Sequence, residues 1–364
     1  LREAGIDRAT IGYLSWVGLA YGFKWVWAPL VDRLPLPPLT TLLGRRRGWL
    51  LFAQGLVIAG LAGMAVNDPR AGLEPLVWCA LLVAFGSATQ DIALDAFRIE
   101  SAESRKQAAL AAAYQTGYRL AMIWAGAGVL WVAAWAETSA AGAAATGYQN
   151  GAWRTAYLVM AASMAVGVLT VLFSPEPARR ALPPAKNVAD WLRSALVEPF
   201  ADFIRRYRWQ AALILALIAI YRISDVVMGI MANPFYVDMG FTKDEVATVS
   251  KIYGVVMTLV GAFVGGVLSM RLGVMRVLML GAVLSAASNL LFAWLGTRGH
   301  DVTALVAVVS ADNLAGGIAS AAFIAYLSSL TNVSYSATQY AVSTALLGVP
   351  VLLLVALASR AKKA

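Results

Sequence analysis

A chain of 364 residues that is 60% hydrophobic and only 13% charged, with a mean hydropathy of +0.69, does not fold as a soluble globular domain. The single cysteine, Cys79, excludes an intramolecular disulfide, and the one histidine, His300, excludes Cys/His metal sites and His-based triads, so no enzyme, cofactor or metal is expected. The net charge of +9 invites a nucleic-acid partner, but in a membrane protein a Lys/Arg excess is an orientation signal, and no nucleic acid is expected.

In chain order, apolar runs occupy 11–30, 49–66, 75–97, 108–135, 153–173, 211–231, 244–270, 274–295, 302–327 and 337–359. Each has about the 20 residues a helix needs to cross about 30 Å of hydrocarbon, and none alternates like a barrel strand. An all-α membrane protein with ten visible spans follows, and the lipid bilayer is its first partner. The longest polar interruption, with PEPARR and ALPPAK, divides it into a bundle over 1–173, a loop over 174–210 and a second bundle over 211–364. Within the loop, Trp191, Leu192, Leu196, Phe203 and Ile204 recur at roughly helical spacing beside Arg193, Arg205 and Arg206, which suits either a membrane-surface helix or a solvated tether.

Alternate loops hold Arg33, Arg45, Arg46 and Arg47; Arg98, Arg105 and Lys106; Arg179 through Arg208; and Arg271 and Arg276. The positive-inside rule makes that side cytoplasmic. The first run then begins outside with no initiator Met, so a leading helix is expected to be missing. The tail carries Arg360, Lys362 and Lys363 on the wrong side. Either a span is absent between 344 and 350 or the tail breaks the rule; the first is favoured, giving a twelve-helix parent.

Ionisable groups inside spans cost at least about 2.5–3.5 kcal/mol and mark function by default. Here they are Lys24, Asp91, Arg119, Arg222, Asp225, Lys251 and Asp312, accompanied by Gln90, Gln115, Asn289, Asn313 and Gln339. In GSATQDIALDAFRIE, residues 86–100, Ser87, Asp91, Asp95 and Arg98 share one helical face. Asp95 and Arg98 read as a local ion pair ending the helix. Asp91 and Lys24 both lie about 10 Å deep, counted at about 1.5 Å per residue, so Asp91 reads either as half of a fixed salt bridge or as a carboxylate that gains and loses a proton. With His300 in a loop, proton coupling would rest on carboxylates: Asp91 first, then Asp225 and Asp312. Arg119, Arg222 and Lys251 either attract an anionic substrate or neutralise Asp225 and Asp312. Tyr13, Trp25, Tyr118 and Tyr221 could stack on sugar rings. The repeat SATQ, at 87–90 and 336–339, reads as coincidence.

Two similar halves joined by a basic loop are the plan of major facilitator transporters, with the substrate near the midplane. The stretches RATIGYLSWVGLAYGFKWVWAPLVDRLPLP, GRRRGWLL, SATQDIALDAFRIE, GYRLAM, ADNLAGGIASAAFIAYLSSLTN and SYSATQYA together resemble the AmpG-type muropeptide permeases of Gram-negative bacteria. The resemblance implies a major facilitator fold in the cell inner membrane and proton-driven import of GlcNAc–1,6-anhydro-MurNAc and its peptides. It also implies peptidoglycan recycling and β-lactamase induction. A monomer is expected. It places the acidic position of the family's QD motif at Asp91, after Gln90, and the cationic position of GYR at Arg119. The substrate set is then Lys24, Gln90, Gln115, Tyr118, Arg119, Arg222, Lys251, Asn313 and Gln339. PLVDR…GRRR looks like the facilitator loop motif, which makes Asp32, Arg33, Arg45, Arg46 and Arg47, with Asp95 and Arg98, a conformational latch. The alternatives are an acetyl-CoA transporter-like facilitator and a transport-dead membrane receptor.

Overall fold

The computed structural model describes residues 1, 4–6, 10, 15–103, 106–141, 148–178, 187, 189–190, 193–221, 232, 235–236 and 238–346, which are helical throughout apart from turns and loops. Three short helices come first, α1 (Leu19–Phe23), α2 (Ala28–Arg33) and α3 (Leu39–Leu43). Then follow α4 (Arg45–Val66), α5 (Glu74–Glu100), α6 (Gln107–Ile123), α7 (Val129–Ala141) and α8 (Asn150–Phe173), with a π-helical turn, Trp124–Gly128, joining α6 to α7. After them come α9 (Glu198–Tyr207), α10 (Gln210–Tyr221), α11 (Gly254–Leu272), α12 (Val274–Gly296), α13 (Val302–Leu330) and α14 (Ser336–Leu346).

Among the described residues, 7 helices are long and apolar enough to cross a membrane. A helix is the structure these runs must take, because hydrocarbon offers no partner to a free backbone N–H or C=O. The first run differs from the single span expected over 11–30: a 3₁₀ segment, Lys24–Val26, separates α1 from α2. Pro29, in the first turn of α2, explains the break, since its ring has no N–H to give and crowds the carbonyl four residues back. The runs at 211–231 and 337–359 extend past α10 and α14 into residues outside the described set.

Two compact units result. Unit one comprises the described residues of 1–101, 121–200 and 333–345; unit two those of 102–120, 201–332 and 346–364. In unit one α4 packs along α5 and α8, and α8 along α7. In unit two α13 packs against α11 and α12. There a Cβ on Gly261 would collide with the Leu314 carbonyl, and one on Gly317 with that of Thr258, so the two helices touch backbone to backbone. Gly317→Val is expected to cost about 1–3 kcal/mol or more through overpacking. A thermal-unfolding scan in detergent should show a lowered Tm; an unchanged one would mean that the crossing is looser.

The link into α4 turns on Gly44, at φ +95°, a conformation L side chains rarely adopt. A Cβ there would strike the Glu176 carboxylate. That carboxylate accepts the Arg46 and Arg47 backbone N–H groups at 2.8 and 3.1 Å, capping the helix from a distant part of the chain. Glu176→Ala should lose about 1 kcal/mol, the ordinary value of an N-cap, read from the same unfolding scan; no loss would show that the cap adds nothing.

Candidate functional site

One face of α5 carries polar groups at successive turns, and each meets a partner in unit one. Ser87 meets the Tyr21 hydroxyl. One turn on, Asp91 takes the Lys24 ammonium in a hydrogen-bonded ion pair, with the lysine side chain 8% and the aspartate 23% exposed. One turn further, Asp95 and Arg98 pair at 3.3 Å with both side chains buried. The neighbouring Thr89 hydroxyl accepts from Trp27 Nε1 at 3.2 Å. The break before Pro29 is what positions Lys24. It lies on the 3₁₀ segment, and its backbone there turns the long side chain onto α5. A cation and a carboxylate inside a span satisfy each other.

At the basic end of unit one Arg46, 1% exposed, is the centre of a second network. Its guanidinium donates to Asp32 Oδ1 at 2.7 Å, to Glu100 at 3.0 and 3.1 Å through Nε, to the Val31 carbonyl at 3.0 Å and to Ser336 Oγ at 2.8 Å. Asp32 in turn caps α14: its carboxylate accepts the backbone N–H groups of Ala337 at 3.2 Å and Thr338 at 2.8 Å, and the Thr338 hydroxyl at 2.7 Å. A carboxylate at free N–H groups and a fully engaged guanidinium form one buried arrangement in which each charge depends on the others. Around it, Arg45 reaches Glu100 at 3.5 Å and Arg33 reaches Glu198 at 4.0 Å. Arg47 donates to the carbonyls of Val171 and Leu172 at the end of α8, and Arg98 lies over the Tyr340 ring at 5.2 Å.

In unit two the consecutive residues Asp312 and Asn313 point about 100° apart on α13 and so serve different neighbours. Asp312 accepts from Ser288 of α12 at 2.9 Å, and Asn313 accepts from Thr258 of α11 at 2.9 Å. On α6, Tyr114 and Tyr118 stack at 6.5 Å, and Tyr118 is more than half exposed. Beside them Arg119 holds its Nε buried, with no hydrogen-bond partner among the described residues.

Against known proteins, residues 2–358 match the Major Facilitator Superfamily. The chain belongs to that superfamily. It is 36% identical over 343 residues to the "Anhydromuropeptide permease" of Escherichia coli K12, covering 94% of this chain and 65% of the permease. To the "Putative transporter AmpG 4" of Rickettsia felis it is 31% identical over 342 residues, covering 94% of this chain and 78% of that one. Among solved structures, the facilitator FucP in its outward conformation superposes with a TM-score of 0.69 at 16% identity, over 98% of this chain and 84% of that one. At that identity the likeness is one of fold. The protein is thus a multi-pass membrane protein of a transporter superfamily whose curated relatives are transporters rather than enzymes.

In this facilitator the structure brings Lys24 to Asp91, and Asp32 to Arg46. Gln90 and Gln115 are half-buried on α5 and α6. Gln339 lies instead at the basic end, donating to the Pro199 carbonyl at 2.8 Å. Arg222, Asp225 and Tyr13 lie outside the described residues, as does the side chain of Lys251. Tyr221 is engaged in packing, stacked on Phe323 at 4.9 Å and donating to the Leu278 carbonyl at 3.0 Å. Sequence reasoning passed over Glu100, Glu176, Ser336 and Thr338. The only signal was indirect: Glu100 closes the very stretch that carries Asp91, and Ser336 and Thr338 belong to the second SATQ.

Proposed function

We propose that this facilitator imports cell-wall muropeptides, GlcNAc–1,6-anhydro-MurNAc and its peptides, across the cell inner membrane, driven by protons. The observation that carries the reading is the Lys24–Asp91 pair inside the bundle of a chain 36% identical to an anhydromuropeptide permease. The pair suits coupling for an electrostatic reason. While Asp91 is ionised it holds the ammonium; a proton on Asp91 removes that attraction and leaves Lys24 to meet a substrate carboxylate. Arg119 supplies a second cation with bonding capacity to spare, and Tyr118 an exposed ring beside it for a sugar face. Gln90, Gln115, Asn313, Gln339, Arg222 and Lys251 complete the candidate substrate set, and Asp225 and Asp312 the candidate proton set.

The basic end, taken as cytoplasmic from its charge, acts in this reading as a latch. Asp32, Arg46 and Glu100 hold the first turn of α14, with Arg33, Arg45, Arg47, Asp95 and Arg98 around them, and a two-state element of this kind lets substrate and proton bias opening. The protein works as a monomer, serving peptidoglycan recycling and, through the imported fragments, β-lactamase induction. The test is uptake of labelled anhydro-muropeptide by cells lacking their own permease. Unlabelled anhydro-muropeptide should compete and acetyl-CoA should not; the reverse would assign the chain to a different cargo. Arg119→Ala should reduce uptake about tenfold or more, the effect of losing about 1.4 kcal/mol; uptake at the parent rate would remove Arg119 from the site.

A further inference from the structure

A helix on a water-facing surface packs its apolar face on the protein and shows its charges to solvent. On α9 Pro199 is buried, and polar side chains bond the protein on the packed side. Asp202 accepts from Asn332 at 3.3 Å, and Arg206 bonds Asp202 at 2.9 Å and the Leu330 carbonyl at 3.0 Å, while Glu198, one turn earlier, accepts from the Tyr335 hydroxyl at 2.9 Å. The apolar line faces out. Val197, which ends the π-helical segment Arg193–Val197 leading into α9, and Phe200 and Ile204, spaced three and four further on, are 54%, 42% and 59% exposed. Phe203 is not part of it, packing on Tyr207 at 4.9 Å.

The level of the helix is set by the same bonds. Leu330, the acceptor for Arg206, ends the membrane-crossing helix α13. Directly after α9 the chain turns at Arg208, whose φ is +50°, and presents Trp209, 71% exposed, just before α10 begins. Tryptophan at a span end is the mark of the membrane–water boundary. Arg193, Arg205 and Arg208 are exposed around the apolar line. That combination of an outward apolar stripe at the depth of the span ends, an interfacial tryptophan and a rim of exposed arginines is complementary to a leaflet carrying anionic headgroups.

We propose that α9 is a membrane-surface helix whose partner is anionic phospholipid: Val197, Phe200, Ile204 and Trp209 enter the acyl boundary, and Arg193, Arg205 and Arg208 bind the lipid phosphates. The arginines then give the linker between the bundles a sensitivity to headgroup charge that a purely solvated tether would lack.

The test uses the full chain with Cys79→Ala and Ile204→Cys, labelled with an environment-sensitive fluorophore and placed one copy per nanodisc. In phosphatidylglycerol-rich discs the emission should be shifted to the blue and quenched by brominated lipid. In phosphatidylcholine discs, or with Arg193, Arg205 and Arg208 all replaced by Gln, it should move toward the emission in water. Because all three arginines are exposed, the triple variant is expected to keep its fold, checked by size-exclusion profile and Tm. A water-like emission in both lipids would overturn the proposal, as would a blue emission indifferent to headgroup charge and to the arginines. A blue shift seen only with two copies in a disc would make this face a self-association surface and also refute it.

Discussion

Asp91→Asn should abolish accumulation of anhydro-muropeptide against its gradient while leaving exchange of internal for external substrate in place. The substitution keeps the shape of the side chain and its capacity to accept from Lys24, but it cannot carry a proton. A driven cycle needs a group whose charge differs between its two halves; exchange of substrate needs only the binding site and the rocking motion. The loss should exceed about tenfold, more than about 1.4 kcal/mol of coupling. Lys24→Ala should act differently. It takes the cation from Asp91 and a candidate contact from the substrate, so binding of substrate as well as coupling should weaken. Equal accumulation by Asp91→Asn and the parent would remove the pair from the coupling step.

The second large effect is expected at Arg46. With its side chain 1% exposed and bonded to Asp32, Glu100, Val31 and Ser336, removal takes from two interior carboxylates the buried cation they share. Breaking a buried pair from one side costs about 3–5 kcal/mol, enough that Arg46→Ala should express poorly or unfold early. Asp32→Asn is the gentler probe, since it retains the side-chain oxygen and one acceptor for the α14 N–H groups but loses the charge that faces them. In a Cys79→Ala background, a cysteine at the buried position Ala337 should be alkylated slowly with Asp32 intact and faster with Asn. Equal rates would show that the carboxylate does not hold α14 down.

Much of the architecture is legible in the residues. Runs of apolar side chains long enough to cross a bilayer admit only helices, and the depth count from the span ends places Lys24 and Asp91 at one level. The i,i+3 spacing of Asp95 and Arg98 likewise predicts their contact. Other features are not local. Glu100 ends a span, where a carboxylate ordinarily meets water, and only the tertiary fold shows that it is 4% exposed and bonded to Arg46 and Ser336. Ser336 and Thr338 are small hydroxyls at a helix start, a pattern that reads as self-capping, whereas here the capping carboxylate comes from Asp32, about three hundred positions away in the chain. Of the linker residues at helical spacing, Ile204 is exposed and Phe203 packs on Tyr207, while Trp191, Leu192 and the side chain of Leu196 lie outside the described residues.

The central claim, proton-driven import, is tested most directly in inverted-topology-free proteoliposomes containing the purified chain, with an imposed inward proton gradient and labelled anhydro-muropeptide outside. Accumulation of label above the external concentration, collapsing when an uncoupler is added, is the predicted result; label that only equilibrates, or accumulation untouched by the uncoupler, would contradict it.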